Sequence, residues 1–469
     1  MLNNSAQESL QRYSLERGSP VSPLMPEPSQ GASKVRAHRE GVFRKGAFLF
    51  LWLLMFVIPW ENGVVIHGFG TISRVVGIPA FALALLAVFE GGTLRMIAVP
   101  QIIMLAFLVW GGFTYFWSFD PRSTLLSIYT FLQLFMMVWL IWEFAQGRKR
   151  QWLLLRAYIL GSIVSSLATL GGFLNNTGLY KGRYSGLNFN PGDLAFILVL
   201  AIPIAFYLMV QETRKILVWV DGCAIVLAFC AIVLTASRGS LVACIPTVLM
   251  FPFLFPKLNW GRNLLILVFV ALAGIGAWLF MPAKSWSRLS TIGSEISQGT
   301  LNERTMIWQI GWQVFGQAPF QGVGAGAYAP TVEHTLGLAS DVAGAEAGSP
   351  AARLVAHNTF FSILVEQGVM GFALFFLLLL TLILSAWRLP RVERIFWLCI
   401  LLTWAVGSLD LSWEQRKPTW FIFGLLIAFA ATKLAPQQRL FSSQLSARPP
   451  GFYSHRILPA ETARSQELS

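Results

Sequence analysis

Charge is what this sequence has least of. Only 12% of its 469 residues are Asp, Glu, Lys or Arg, against 55% hydrophobic, and the mean hydropathy is +0.61. Soluble domains carry roughly twice that charged fraction, so there is too little polar surface to cover a water-soluble body. Cysteine is scarce as well. Cys223, Cys230, Cys244 and Cys399 all fall inside apolar runs, at spacings that fit neither a zinc site nor a disulfide framework, and read as small buried apolar residues. No cluster of His, Cys, Asp and Glu has metal-ligand spacing either, so no metal and no cofactor are expected. The net charge of +13 would suggest nucleic acid if the basic residues formed one face. They sit instead at the ends of apolar runs, which excludes nucleic acid as a partner.

What the chain does have is apolar runs, rich in Phe and Trp. They recur at about 46–60, 72–89, 96–117, 123–145, 151–174, 191–210, 216–235, 240–256, 263–281, 358–387, 392–408 and 418–434. Most approach the ~20 residues that span a bilayer. The fold expected is all-α, a polytopic membrane bundle of about twelve transmembrane helices. Residues 1–45 are polar and rich in Ser, Pro and Arg, and read as a disordered cytoplasmic tail. No signal-peptide cleavage pattern follows the first run, which therefore stays as an anchor. Residues 46–435 form the membrane domain and 436–469 a second cytoplasmic tail.

The turns test the parity of the count. If the amino-terminal tail is cytoplasmic, the even-numbered turns are too, and these carry eleven Lys and Arg, among them Arg148, Lys149, Arg150, Arg388, Arg391 and Arg394. The short odd-numbered turns carry six: Arg122, Lys181, Arg183, Arg238, Arg416 and Lys417. The positive-inside rule puts both termini in the cytoplasm and the one long connection, about 282–357, between the ninth and tenth spans, on the far side. Within it, Asn302–Gly316 has helical periodicity, with Trp308 and Trp312 one turn apart, which suits a helix lying along the membrane interface. Pro319 and the run Gly322-Val-Gly-Ala-Gly326 end that helix. No strand precedes the glycines, so they read as a flexible loop and not as a nucleotide cradle.

Four residues on this far side have chemistry to offer: Arg183, Arg238, Arg304 and His357. Each has a plainer reading. An arginine can snorkel to the headgroups or meet lipid phosphate, and a histidine at a helix start can simply pack. Together they make three fixed cations and one titratable base on one face. Guanidinium groups bind phosphate bidentately, and a histidine can take a proton from a hydroxyl. Glu366 lies nine residues beyond His357, on the opposite helix face and ~13 Å along the axis, and reads as a residue of the bundle interior. His334 is a second candidate base.

The chain resembles the O-antigen ligase and polymerase superfamily of bacterial membrane glycosyltransferases. The resemblance rests on the Arg183-Tyr-Ser-Gly…Asn190-Pro turn, Thr235-Ala-Ser-Arg-Gly, Glu303-Arg-Thr-Met-Ile-Trp followed by Pro319-Phe-Gln-Gly-Val-Gly-Ala-Gly, and His357-Asn-Thr-Phe-Phe…Glu366-Gln-Gly-Val-Met-Gly. It covers about 175–380. It implies an inner-membrane enzyme with its active face in the periplasm, in lipopolysaccharide or polysaccharide biosynthesis. Such an enzyme moves a glycan from undecaprenyl pyrophosphate to an acceptor glycolipid or glycan, inverting and without metal. On this resemblance Arg238 and Arg304 hold the pyrophosphate and His357 activates the acceptor hydroxyl, with Arg183 and Asn358 as further substrate contacts. A polymerase of the same superfamily is the alternative. From other classes come a secondary anion transporter and a purely structural membrane subunit.

Overall fold

The computed structural model describes residues 41–254 (without 69, 92–93 and 181–182), isolated positions between 260 and 275, and residues 304–337 and 354–446. They are mostly helical, and some of the helices begin at a side-chain cap. The order is α1 (Val42–Val57), α2 (Ile72–Gly91), α3 (Val99–Phe113), α4 (Pro121–Phe144), α5 (Arg148–Leu174), α6 (Pro191–Gln211) and α7 (Lys215–Leu234). After a tight turn come α8 (Arg238–Ala243) and α9 (Ile245–Leu254), then α10 (Arg304–Gln317), α11 (Tyr328–Thr335), α12 (Thr359–Trp387), α13 (Arg391–Ser408) and α14 (Lys417–Ser446). Asp120 caps α4 by accepting from Arg122 N at 3.2 Å, and Asn190 caps α6 by accepting from Gly192 N at 2.9 Å. In both, proline follows at the first helical position, where its missing N–H costs nothing.

Among the described residues eight helical segments are long and apolar enough to cross a membrane: Val42–Gly63, α2, Val99–Trp117, α4, α5, α6, α7 and α12. The chain is a polytopic helical membrane protein. The remaining expected spans fare differently. Two more, expected at 240–256 and 418–434, correspond to shorter apolar helices, Arg238–Met250 and Lys417–Thr432, and α13 is not among the eight. Its first turn carries Arg391, Glu393 and Arg394. Most of the expected span at 263–281 lies outside the described residues, as do 1–40 of the expected tail and 447–469 of the second.

Helix α6 is the bundle's centre and is buried nearly all round. It packs against α5, α7 and α13, and Tyr207 stacks on Phe396 of α13 with ring centroids 4.0 Å apart. Around it, α1 lies on α2 and α5, α3 on α12, and α4 on α14. The basic residues at one end of the bundle are largely paired: Arg148 with Glu393 at 2.9 Å, Arg156 with the fully buried Asp221 at 2.7 Å, and Arg44 with Glu143 at 3.5 Å. Arg95 lies over the Trp142 ring, 3.5 Å from its centroid. Two of the four cysteines are not buried as expected. Cys244 and Cys399 are, but Cys223 is exposed and Cys230 half-buried. An apolar residue on a membrane helix can face lipid as readily as core, because lipid tails are as apolar as leucine.

The run Gly322–Gly326 also departs from expectation. It is no flexible loop but a wedge against a break in α12. Gly368, inside α12, has φ 66° and interrupts the helix. The freed backbone is taken up by the glycine run: Val323 N donates to Val365 O at 3.1 Å, Gly324 N to Glu366 O at 2.9 Å, and Val369 N to Pro319 O at 2.8 Å. Gly322 has φ 72°, and a Cβ there would collide with the Glu366 carbonyl oxygen. Substituting Gly322→Val should therefore lower stability by more than the ~1–2 kcal/mol that left-handed backbone alone costs a side-chain-bearing residue. Gly316→Ala, in open space on α10, should be neutral or mildly stabilising. Thermal unfolding of the two purified variants checks this.

Candidate functional site

The other end of the bundle carries the motif residues, each on a turn that a neighbouring helix holds in place. Arg183 sits in a short hairpin, Leu179–Tyr180 paired with Arg183–Tyr184, between α5 and α6. Its Nε donates to the carbonyl of Thr235 at 2.7 Å, so the first motif is tied to the second. The second motif turns through Ala236, at φ 48°, before Ser237 and then Arg238, which opens α8. Arg238 is half-buried there.

Arg304 opens α10 and pairs with Asp410, in the turn between α13 and α14. The Asp410 carboxylate lies against Gly239, where a Cβ would collide with it. One carboxylate thus meets the Arg304 helix and the Arg238 turn together. Helix α10 buries Ile307, Ile310 and Val314 against Tyr328, Ala356 and Val365. Trp308 Nε1 donates to the carbonyl of Ala356 at 2.8 Å, and Tyr328 OH to that of Ile307 at 3.0 Å. This fixes the residue just before His357 to the helix that carries Arg304.

His357 has φ 50°, a left-handed conformation. Strained backbone of this kind persists only where its surroundings over-determine it, and it gathers at functional sites. Burial pushes the imidazole down to about pH 4, and the Arg304 guanidinium adds to the shift, while the Asp410 and Asp193 carboxylates oppose it. The ring is therefore neutral at physiological pH, with an unprotonated nitrogen available as a base. Asn358 caps α12, accepting from Phe361 N at 3.1 Å, which commits its carbonyl oxygen to the helix start.

The site draws on residues the sequence motifs omit. Asp410, Asp193, Glu414 and Arg416 all come from the two turns that face it. Asp193, in the first turn of α6, accepts from Trp413 Nε1 at 2.9 Å and from Arg416 Nη2 at 2.8 Å. Thr359 Oγ1 donates to Leu411 O at 2.8 Å and accepts from Trp413 N at 2.7 Å, fastening the α13–α14 turn to the start of α12. Glu414 is 5% exposed, and burial lifts its carboxyl to about 7. One signal could have found this turn. Asp410, Glu414, Arg416 and Lys417 lie within eight residues of a chain with very little charge.

Glu366 is buried in the interior, as its helix position implies, and accepts from Gly326 N at 2.7 Å and Tyr328 N at 3.4 Å. It anchors the glycine wedge. His334 is exposed on α11 with its ring 5.1 Å from that of Phe119, and takes no part in the grouping. Among the described residues no three His, Cys, Asp or Glu side chains are grouped to hold a metal ion.

The electrostatics yield a test independent of activity. In 15N-histidine NMR spectra, the resonance lost in His357→Ala should titrate near pH 4. In Arg304→Gln it should titrate higher, because the guanidinium that disfavours the imidazolium is gone.

The O-antigen ligase family model matches residues 223–376, a stretch that carries Arg238, Arg304, His357 and Asn358. No curated protein matches the chain. Over residues 223–376 this helical membrane protein is similar to the O-antigen ligase family.

Proposed function

We propose that the protein is a metal-independent, inverting glycosyltransferase of the inner membrane. It moves a glycan from undecaprenyl pyrophosphate to an acceptor hydroxyl at the periplasmic face. The observation that carries the reading is the meeting of His357, Arg304 and the Arg238 turn around one carboxylate, Asp410. His357 takes the proton of the acceptor hydroxyl, whose oxygen attacks the anomeric carbon. The bond from that carbon to the pyrophosphate oxygen breaks with inversion. The charge that grows on the departing pyrophosphate is stabilised by Arg238 and Arg304, with Arg183 holding the Thr235 turn from which Arg238 projects.

The low basicity of His357 fits this order of events. A bound pyrophosphate would offset the Arg304 charge and favour the imidazolium, so the base strengthens once the donor has arrived. Polymerisation of lipid-linked repeats uses the same chemistry with a different acceptor, and the product distinguishes it.

With a purified donor and acceptor, His357→Ala should abolish transfer while leaving membrane insertion intact. Wild-type rates in that variant would sink the mechanism. Arg238→Ala and Arg304→Ala should each lower the rate about 10²–10³-fold. The orientation has its own test: in Glu333→Cys, on α11, a membrane-impermeant thiol reagent should label the new cysteine from outside intact cytoplasmic membranes. Labelling only from the cytoplasmic side would remove the periplasmic assignment.

A further inference from the structure

Two cavities adjoin, one of them reaching the start of α12. The first has a volume of about 430 Å³ and polar walls, supplied by Tyr328 of α11, Ser362 and Glu366 of α12, and the turn 412–417. Ala356, the neighbour of His357, lies in its wall. The second, also of about 430 Å³, is an apolar slot among α1, α2 and α4, lined by Leu54, Ile78, Phe81, Leu134, Met137 and Leu140. Thr130, Gln415 and Lys417 line both. A mainly apolar cavity and a polar one therefore share a wall.

The dimensions of the slot suit one chain. Along α4 it runs from Thr130 to Leu140, ~15 Å at the helical rise, which is half of a ~30 Å hydrocarbon core. A volume of about 430 Å³ is large enough to take one such chain. The polar compartment has groups that ask for a donor. Glu414 is 5% exposed; its Oε1 accepts from Ser362 at 3.0 Å, and its Oε2 is buried with no hydrogen-bond partner among the described residues. Ser412 Oγ is in the same position. A buried polar atom without a partner is costly, and hydroxyl groups of a ligand are the donors that would satisfy both. Neither Arg238 nor Arg304 lines either cavity, so this space is separate from the pyrophosphate cluster.

We propose that the two cavities form one site for a single-chain amphiphile with a hydroxyl-rich head: the chain lies in the α1–α2–α4 slot, and the head's hydroxyls donate to Glu414 and Ser412 beside His357. Taken with the glycan-transfer reading, on which this last step rests, the ligand is the acceptor. It enters laterally from the bilayer between α2 and α4.

The experiment reads binding and needs no turnover. The full chain in phosphatidylcholine nanodiscs is exposed to dodecyl maltoside carrying a diazirine at the chain end, below its micellar concentration. After photolysis, adducts are mapped by mass spectrometry. Adducts are expected on the slot walls, at Ile78, Phe81 and Met137. Unlabelled dodecyl maltoside should displace the probe, and neither maltose nor dodecylphosphocholine should. Glu414→Gln should weaken labelling about tenfold. Gly77→Leu, whose side chain would enter the slot, should abolish it. Equal displacement by dodecylphosphocholine would reduce the site to an ordinary lipid groove and overturn the proposal, as would adducts scattered over lipid-facing helices. If either variant fails to fold, the competition on the wild-type chain decides alone. Transfer that survives in His357→Ala would remove the acceptor assignment and leave the labelling pattern standing. Scattered labelling, with transfer lost in His357→Ala, would remove this site and leave the mechanism.

Discussion

The pairing of Arg304 with Asp410 holds the candidate functional end of this protein together. It joins the amino terminus of α10 to the turn between α13 and α14, residues more than a hundred positions apart. Because the same carboxylate sits on Gly239, the turn that carries Arg238 is drawn in as well, and only glycine lets it come that close. His357 feels both partners, the guanidinium opposing its protonation and the carboxylate favouring it. A half-buried ion pair of this kind gives little net stability, since desolvation offsets much of the attraction. What it supplies is position: a cation held at a defined point, with its charge partly neutralised until a more anionic ligand competes for it.

A second constraint comes from the membrane itself. In a lipid-facing bundle every backbone break must be satisfied internally. The break in α12 at Gly368 is answered by the glycine wedge of residues 322–326, and Glu366 caps that wedge with its carboxylate. The wedge in turn supports α11, whose Tyr328 hydroxyl reaches α10, and α10 holds the residue before His357. A helix kink deep in the bundle and the conformation of the candidate base are therefore linked through a short series of hydrogen bonds. The opposite end shows a different use of charge. Arg44, Arg148 and Arg156 are each paired with a carboxylate, so these cations tie helices of the bundle together.

Much of the helical framework was legible in the sequence because length and hydropathy are local properties. Apolar runs near 20 residues, Asp120-Pro and Asn190-Pro at helix starts, and Asn358 before α12 all act over a few residues, and the structure has helices at each. The motif residues were legible for a related reason: Arg and His are conspicuous in a chain so poor in charge. The glycine run was misread because its partner is the broken segment of α12, some forty residues on, and nothing local marks a glycine as pressed against another backbone. The exposure of Cys223 was missed because hydropathy does not distinguish lipid from core.

The sequence by itself determined that this is a many-helix membrane protein, and which cations and which histidine could serve phosphate and hydroxyl chemistry. Composition and spacing suffice for that, since burying apolar runs and placing charges at their ends depend on neighbours in the chain. Only the tertiary structure decided that Asp410, Asp193 and Glu414 belong with them, that Arg304 arrives already paired, and that His357 is held neutral in a left-handed turn. Those facts depend on distances across the bundle between segments far apart in sequence. Coulomb fields, desolvation and steric contact act through space, and no reading along the chain measures them.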